Sequence, residues 1–146
     1  MKTKKKPYFS IITVTKNSER TIERNIKSLK EQTIKDFEHI VIDGNSDDGT
    51  IDIIKKHSKN ISYFDSKKDK NMWNAINKGI KVAKGEVIGI LNSDDILYPN
   101  GLKIVKKYFN KKKLDYLFAT VKKKKYITVF TLKKFIISSI YFHHIQ

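Results

Sequence analysis

Short, β-branched apolar runs alternate along this chain with segments whose apolar residues recur at helical spacing, and no other feature constrains the fold as strongly. Tyr8 to Val14 (YFSIITV), after Pro7, reads as a buried strand. Ser18 then stands where it can cap a helix carrying Ile22, Ile26 and Leu29 at i, i+4, i+7, with Glu23 and Lys27 spaced as an i,i+4 pair. Phe37 to Ile42 reads as a second strand, followed by the turn-rich run Asp43 to Gly49 and a helix opened by Thr50. Ile61 to Phe64 is the expected third strand. Met72, Ala75, Ile76, Gly79, Ile80 and Ala83 lie along one helical face that ends at Lys84-Gly85. Glu86 to Leu91 is the next strand, Pro99 is placed to open a helix through about Phe109, and Leu114 to Val121 and Tyr126 to Leu132 read as further strands. A βαβα order of this kind belongs to an α/β fold with a mostly parallel central sheet flanked by helices.

Length and composition narrow the function. At 146 residues the chain has room for one core. It has no cysteine, so a metal would be held by oxygen or imidazole. Met1 to Lys6 is a basic tail running into Pro7 and a short strand, with no apolar h-region of a signal peptide, and no stretch of 18 apolar residues occurs. A cytoplasmic location is therefore expected. The net charge of +16 is uneven: residues 1–73 hold 16 Lys+Arg against 11 Asp+Glu, whereas 74–146 hold 15 against 4. Such an excess suits a nucleic-acid or anionic-lipid surface. Only Arg20 and Arg24 supply the forked donors that read bases or grip phosphate, so a lysine-biased solvated surface is favoured, nucleic acid is disfavoured, and peripheral membrane contact stays open.

In a parallel sheet ligands bind beyond the carboxyl ends of the strands, where strand order reverses. Two acidic clusters fall at such ends: Asp43 after one strand, Asp94-Asp95 after another. Adjacent carboxylates suit Mg²⁺ or Mn²⁺, which bridge diphosphate oxygens. Asx-rich turns also form for purely local reasons, because Asp, Asn and Ser side chains bond nearby backbone N–H groups. Spacing alone leaves both readings open.

The ordered blocks SIITVTKNS (Ser10 to Ser18), HIVIDGNSDDGT (His39 to Thr50) and DKNMWNAINKGIKVAKGEVIGILNSDD (Asp69 to Asp95) resemble the family 2 glycosyltransferases of the GT-A fold, over roughly residues 8–110. The look-alikes are bacterial enzymes of surface-polysaccharide synthesis. The resemblance implies an inverting, metal-dependent transfer from a nucleoside-diphosphate sugar, a UDP-sugar in first place, to a glycan or lipid-linked acceptor. It implies that Thr13 and Thr15 line the nucleotide pocket, Asp43 contacts the base, Asp94 lies near the ribose and Asp95 holds Mg²⁺ or Mn²⁺. Four positions depart from the family pattern: Gly44 stands where many members have a second acidic residue, and Asn71, Trp73 and Asn74 replace Gly, Tyr and Asp. Trp73 is expected to pack rather than stack on a ring, and Lys78 and Lys84 to be surface lysines.

The expected organisation is a basic tail at 1–6, a nucleotide-sugar-binding domain at 7–121, and a basic and apolar segment at 122–146 that begins an incomplete acceptor region. The family's general base lies in that acceptor half. Asp115, the only carboxylate side chain after Asp95, comes too early in the order to be it. Nucleotide binding with little turnover is the expectation for this chain alone. The competing readings are an inactive remnant, with Phe130, Phe135, Ile136 and Ile137 exposed or resting on a membrane, and a basic nucleic-acid module.

Overall fold

The computed structural model describes residues 6–112, 114–120 and 127–132. Its elements are β1 (Phe9–Thr15), α1 (Ile22–Lys30), β2 (Phe37–Asp43), α2 (Thr50–Lys56), β3 (Tyr63–Ser66), α3 (Met72–Val82), β4 (Val87–Ile90), α4 (Gly101–Lys111), β5 (Tyr116–Thr120) and β6 (Ile127–Leu132). The strands form one sheet in the order β3-β2-β1-β4-β6-β5. β1 pairs in parallel with β2 and β4, and β2 with β3, while β6 is antiparallel to both β4 and β5. The α/β class and the mostly parallel sheet expected from the sequence are both present. The sheet runs past the boundary expected at residue 121, because β6 inserts between β4 and β5 and covers the edge β4 would otherwise leave open. The basic tail through Lys5, Lys122 to Lys125, Phe135 to Ile137 and Tyr141 to Gln146 lie outside the described residues.

Alternation along the strands sorts the core. Ile12, Val14, Ile40 and Ile42 point to one face and pack with Ala75, Ile76 and Ile80 of α3. Phe9 and Ile11 point to the other, against Leu29, Leu102, Val105 and Phe109, so α1 and α4 cover that side. Val41 joins Ile22, Ile26 and Ile54 between α1 and α2 on the same side. Burying each such aliphatic side chain contributes roughly 1.5–3 kcal/mol.

Local departures from the sequence reading have local causes. Ser18 does not cap α1 with its hydroxyl; Thr21 is the N-cap residue, and the Ser18 carbonyl accepts from the amides of Thr21 and Ile22. β3 sits two residues later than expected, with Asp65 and Ser66 in register with Ile42 and Asp43. Backbone pairing with β2 there outweighs the polar side chains. α4 starts at Gly101, and Pro99 lies in the preceding turn, where its carbonyl accepts from Thr33 N–H at 2.8 Å. Met72 and Trp73, at the first turn of α3, are 51% and 56% exposed, so neither packs into the core. The Glu23–Lys27 pair forms at 3.2 Å on the open surface, where such pairs contribute about 0.3–0.5 kcal/mol.

Two close approaches depend on glycine. A Cβ on Gly79 would meet Ile12 Cγ2 at 2.6 Å, so α3 rests directly on β1 there. A Cβ on Gly85 would fall on the backbone N of Ser10 and the carbonyl carbon of Phe9, and the Gly85 amide donates to Ser10 Oγ at 2.7 Å. Backbone cannot yield as a side chain does. Gly85→Ala is therefore expected to destabilise the fold by about 3 kcal/mol, the upper end for overpacking, read as a lowered urea midpoint; an unchanged midpoint would refute the contact.

Candidate functional site

Strand order reverses at β1: the chain steps from β1 to β2 to β3 on one side, then returns to place β4 on the other. The carboxyl ends of β1 and β4 therefore flank the topological switch point. The loops leaving β1, β2 and β4 meet there, and their side chains lace them together.

Asn17 is in left-handed conformation at φ 48°; its backbone N–H donates to Ser46 Oγ at 2.8 Å, and its Oδ1 accepts from Asp47 N–H at 3.1 Å. Ser18 N–H donates to Thr50 Oγ1 at 2.7 Å, and Glu19 and Gly49 add a reciprocal pair through Asp48 Oδ2 and Glu19 Oε2. The Ser18 and Ser93 hydroxyls meet at 2.9 Å, which joins the β1 loop to the one carrying Asp94 and Asp95. Asn, Ser and Asp side chains are the groups that can reach neighbouring backbone in this way, which accounts for their density in the three loops.

Asp43, the last residue of β2, is fully buried. Its Oδ1 accepts from Ser46 Oγ at 2.5 Å, and its Oδ2 accepts from Ser46 N–H at 2.9 Å and Ser66 Oγ at 2.7 Å. The carboxylate thus organises its own turn. Thr15 is paired with Asp43 in register and 6% exposed, and its Oγ1 has no hydrogen-bond partner. Such a buried hydroxyl at a strand end is an open position for a polar ligand atom. Thr13, one turn of the pleat deeper, is fully buried and donates to Asn25 Oδ1 at 3.2 Å.

Because the Thr13 hydroxyl spends its only proton on Asn25, His39 Nε2, 3.0 Å from Thr13 Oγ1, must be the donor in that contact. His39 is thereby held as the neutral Nε2–H tautomer, with Nδ1 buried and without a hydrogen-bond partner. Burial pushes its pKa down from 6.5 to about 3.

Asp94 is half-buried and Asp95 is 3% exposed. They sit on a turn closed by Asp95 N–H donating to the Asn92 carbonyl at 3.0 Å, with Asn92 Nδ2 3.5 Å from Asp95 Oδ2. Asp69, after β3, is held by Lys78 at 2.8 Å, an ion pair that pushes the Lys78 pKa up, while Asp69 Oδ2 is buried with no hydrogen-bond partner. Lys78 is therefore not an idle surface lysine; Lys84 is exposed. Asp115 lies in the exposed stretch just before β5.

Sequence reasoning missed Asn25, Ser28 and Gln32 of the α1 region, all buried. The signal was present, since they recur at i, i+3, i+7 beside the apolar stripe, but polar residues on a helix read as solvent-facing.

Among the described residues no group of three or more His, Cys, Asp or Glu side chains stands close enough to hold a metal ion, and no helix is long and apolar enough to cross a membrane. Asp94-Asp95 alone would leave most positions of a cation to water and ligand oxygens. That fits a hard divalent ion carried with a diphosphate and does not fit an all-protein cage.

A mostly parallel sheet flanked by helices, with a laced, acidic loop cluster at its switch point, is an α/β arrangement with its ligand crevice at the carboxyl ends of β1 and β4. The model of the glycosyl transferase family 2 matches residues 10–144, and the chain belongs to that family. It is 32% identical over 122 residues to an uncharacterized glycosyltransferase of Methanocaldococcus jannaschii, covering 80% of this chain and 42% of that protein. It is 34% identical over 110 residues to a chondroitin synthase of Escherichia coli, covering 74% of this chain and 16% of that one. The chain thus spans less than half the length of these relatives. Among solved structures, S. aureus TarS 1-349 in complex with UDP-GlcNAc is 28% identical with a TM-score of 0.72, covering 78% of this chain and 34% of that one. The mannosyltransferase PcManGT from Pyrobaculum calidifontis, solved with GDP-Man and Mn²⁺, shares the fold at a TM-score of 0.81 and 15% identity, covering 92% of this chain and 47% of that one.

Proposed function

We propose that this chain binds the donor of an inverting glycosyl transfer, a UDP-sugar with Mg²⁺ or Mn²⁺, for delivery to a glycan or lipid-linked acceptor in surface-polysaccharide synthesis. The observation that carries the reading is the meeting of the Thr15–Ser18 and Asn92–Asp95 loops at the switch point, tied by the Ser18–Ser93 contact. TarS 1-349, similar to this chain at 28–29% identity, is solved with UDP-GlcNAc and with UDP, which supports a uridine donor.

The proposed roles rest on the family resemblance, and local geometry and chemistry support them. Thr15 offers a buried hydroxyl to the nucleotide. Asp94, the more open of the two carboxylates, can accept from ribose hydroxyls. Asp95 would hold the cation, which when bound supplies charge stabilisation to the diphosphate leaving group. Asp43 and Thr13 act on the nucleotide through the loops they order, Asp43 by fixing the turn to Ser46 and Thr13 through Asn25. The acceptor hydroxyl would attack the anomeric carbon in one displacement, its proton going to a general base that no residue of this chain is assigned to supply.

Calorimetric titration of UDP tests the reading. Affinity is expected to rise about 10-fold or more when Mn²⁺ is added, with little change between about 50 and 200 mM salt. Binding that ignores Mn²⁺ but collapses with salt would instead favour the basic nucleic-acid reading.

A further inference from the structure

Asn25 lies in the middle of α1 and is fully buried. Ile22, Ile26 and Leu29 already seat α1 on the sheet. The Asn25 carboxamide instead reaches across to the acidic turn. One N–H of its Nδ2 donates to the carbonyl of Asn92 at 2.8 Å and the other to the carbonyl of Asp95 at 2.9 Å. These carbonyls are the two ends of the four-residue turn that the Asp95 amide closes onto Asn92. A single pin would set the turn's distance from α1. Two pins from one planar amide also set its rotation, and with it the directions of Asp94 and Asp95.

The same face of α1 continues the grip. Ser28 Oγ accepts from Leu97 N–H at 3.2 Å. Gln32 donates through Nε2 to the Tyr98 carbonyl at 2.7 Å and accepts at Oε1 from Leu102 N–H at 3.0 Å. The segment from Asn92 to Leu102 is therefore read, carbonyl by amide, along one polar row of α1. At its inner end the amide orientation of Asn25 is set by Thr13, whose hydroxyl is held in turn by neutral His39.

We infer that Asn25 is a positioning residue for the donor-site cation: it orients the Asn92–Asp95 turn so that the two carboxylates face the diphosphate, without itself touching nucleotide or metal. This rests on the donor-site reading above, and two measurements separate its failure from that of the reading.

The first is the gain in UDP affinity on adding Mn²⁺, compared between wild type and Asn25→Ala. Outer-shell groups typically contribute 10–100-fold to metal affinity, so the gain is expected to fall about 10-fold while metal-free UDP affinity changes less than about 3-fold. The second is amide hydrogen exchange without metal or nucleotide. Exchange at Asp95 and Leu97 is expected to speed up about 10-fold, with Ile11 and Ile12 of β1 unchanged, because only the turn is released. Should Asn25→Ala fail to fold, Asn25→Ser leaves room for a water to satisfy both carbonyls and is measured in its place. A folded variant with the wild-type manganese gain and wild-type exchange at Asp95 overturns the inference. So does exchange that rises equally throughout β1, the mark of a residue that only stabilises the fold. If wild type itself shows no manganese gain, the donor-site reading fails, and the orienting role of Asn25 is decided by exchange alone.

Discussion

Asp95→Ala is expected to abolish the manganese-dependent part of UDP binding, lowering affinity in Mn²⁺ by at least about 100-fold while metal-free binding is nearly unchanged. The magnitude follows from what lesser changes cost. Removing a group that merely supports a metal ligand weakens affinity about 10–100-fold, so loss of the ligand itself lies at the upper end or beyond. Asp95 is 3% exposed on a turn pinned at both ends by Asn25, so its direction is set before any ligand arrives. Asp95→Asn separates charge from shape: it keeps the volume and loses the anion, and should lose nearly as much of the gain. The measurement is the same calorimetric titration with and without Mn²⁺. A full manganese gain in either folded variant would remove Asp95 from the site.

The second large effect is on stability and concerns His39. Its folded pKa, about 3, lies below the ordinary 6.5 because burial disfavours the imidazolium. The unfolded chain therefore takes up the proton first as pH falls. Stability is complete above pH 6.5, declines below it at up to about 1.4 kcal/mol per pH unit, and levels off near the folded pKa. Between pH 7.5 and 5.0 the loss is about 2 kcal/mol. His39→Gln retains an N–H for Thr13 and cannot titrate, so its urea-unfolding free energy should be flatter over that range by the same amount. Parallel curves for the two proteins would mean that His39 is protonated within the folded state. Glu23, held below its ordinary pKa by His57 and Lys27, titrates only at lower pH and leaves this window undisturbed.

The manganese and pH experiments meet at one buried chain of contacts, from His39 through Thr13 and Asn25 to the turn bearing Asp95. A fold stabilised by apolar packing alone would have no use for these polar groups inside. Their desolvation is offset where each has a partner; among the described residues His39 Nδ1 at the inner end of the relay, Thr15 Oγ1 at the end of β1 and Asp69 Oδ2 after β3 are buried without one.

Much of this was legible in the sequence. The strand and helix periodicities located nearly every element, because burial on one face writes a period of two or 3.6 directly into residue order. The acidic clusters were visible as strand-end features, and the three blocks carried the family. Boundaries were less legible: β3 shifted and α4 began after Pro99, since backbone pairing and turn closure depend on partners distant in the chain. Roles were less legible still. Asp43 reads like Asp95 in one dimension, yet Ser46 and Ser66 occupy its carboxylate, and Ser66 lies 23 residues away.

Residue order by itself determined the α/β class, the parallel strands and the presence of carboxylates at their ends, because these follow from local periodicity and turn chemistry. Only the tertiary structure decided that β1 and β4 are neighbours, that the loops beyond them meet through Ser18 and Ser93, and that Asn25 aims the acidic turn from 67 and 70 residues away. The physical reason is range. Side-chain period is set by neighbours a few residues apart, whereas the direction of a buried hydrogen bond is set by whichever backbone the packed core brings within about 3 Å.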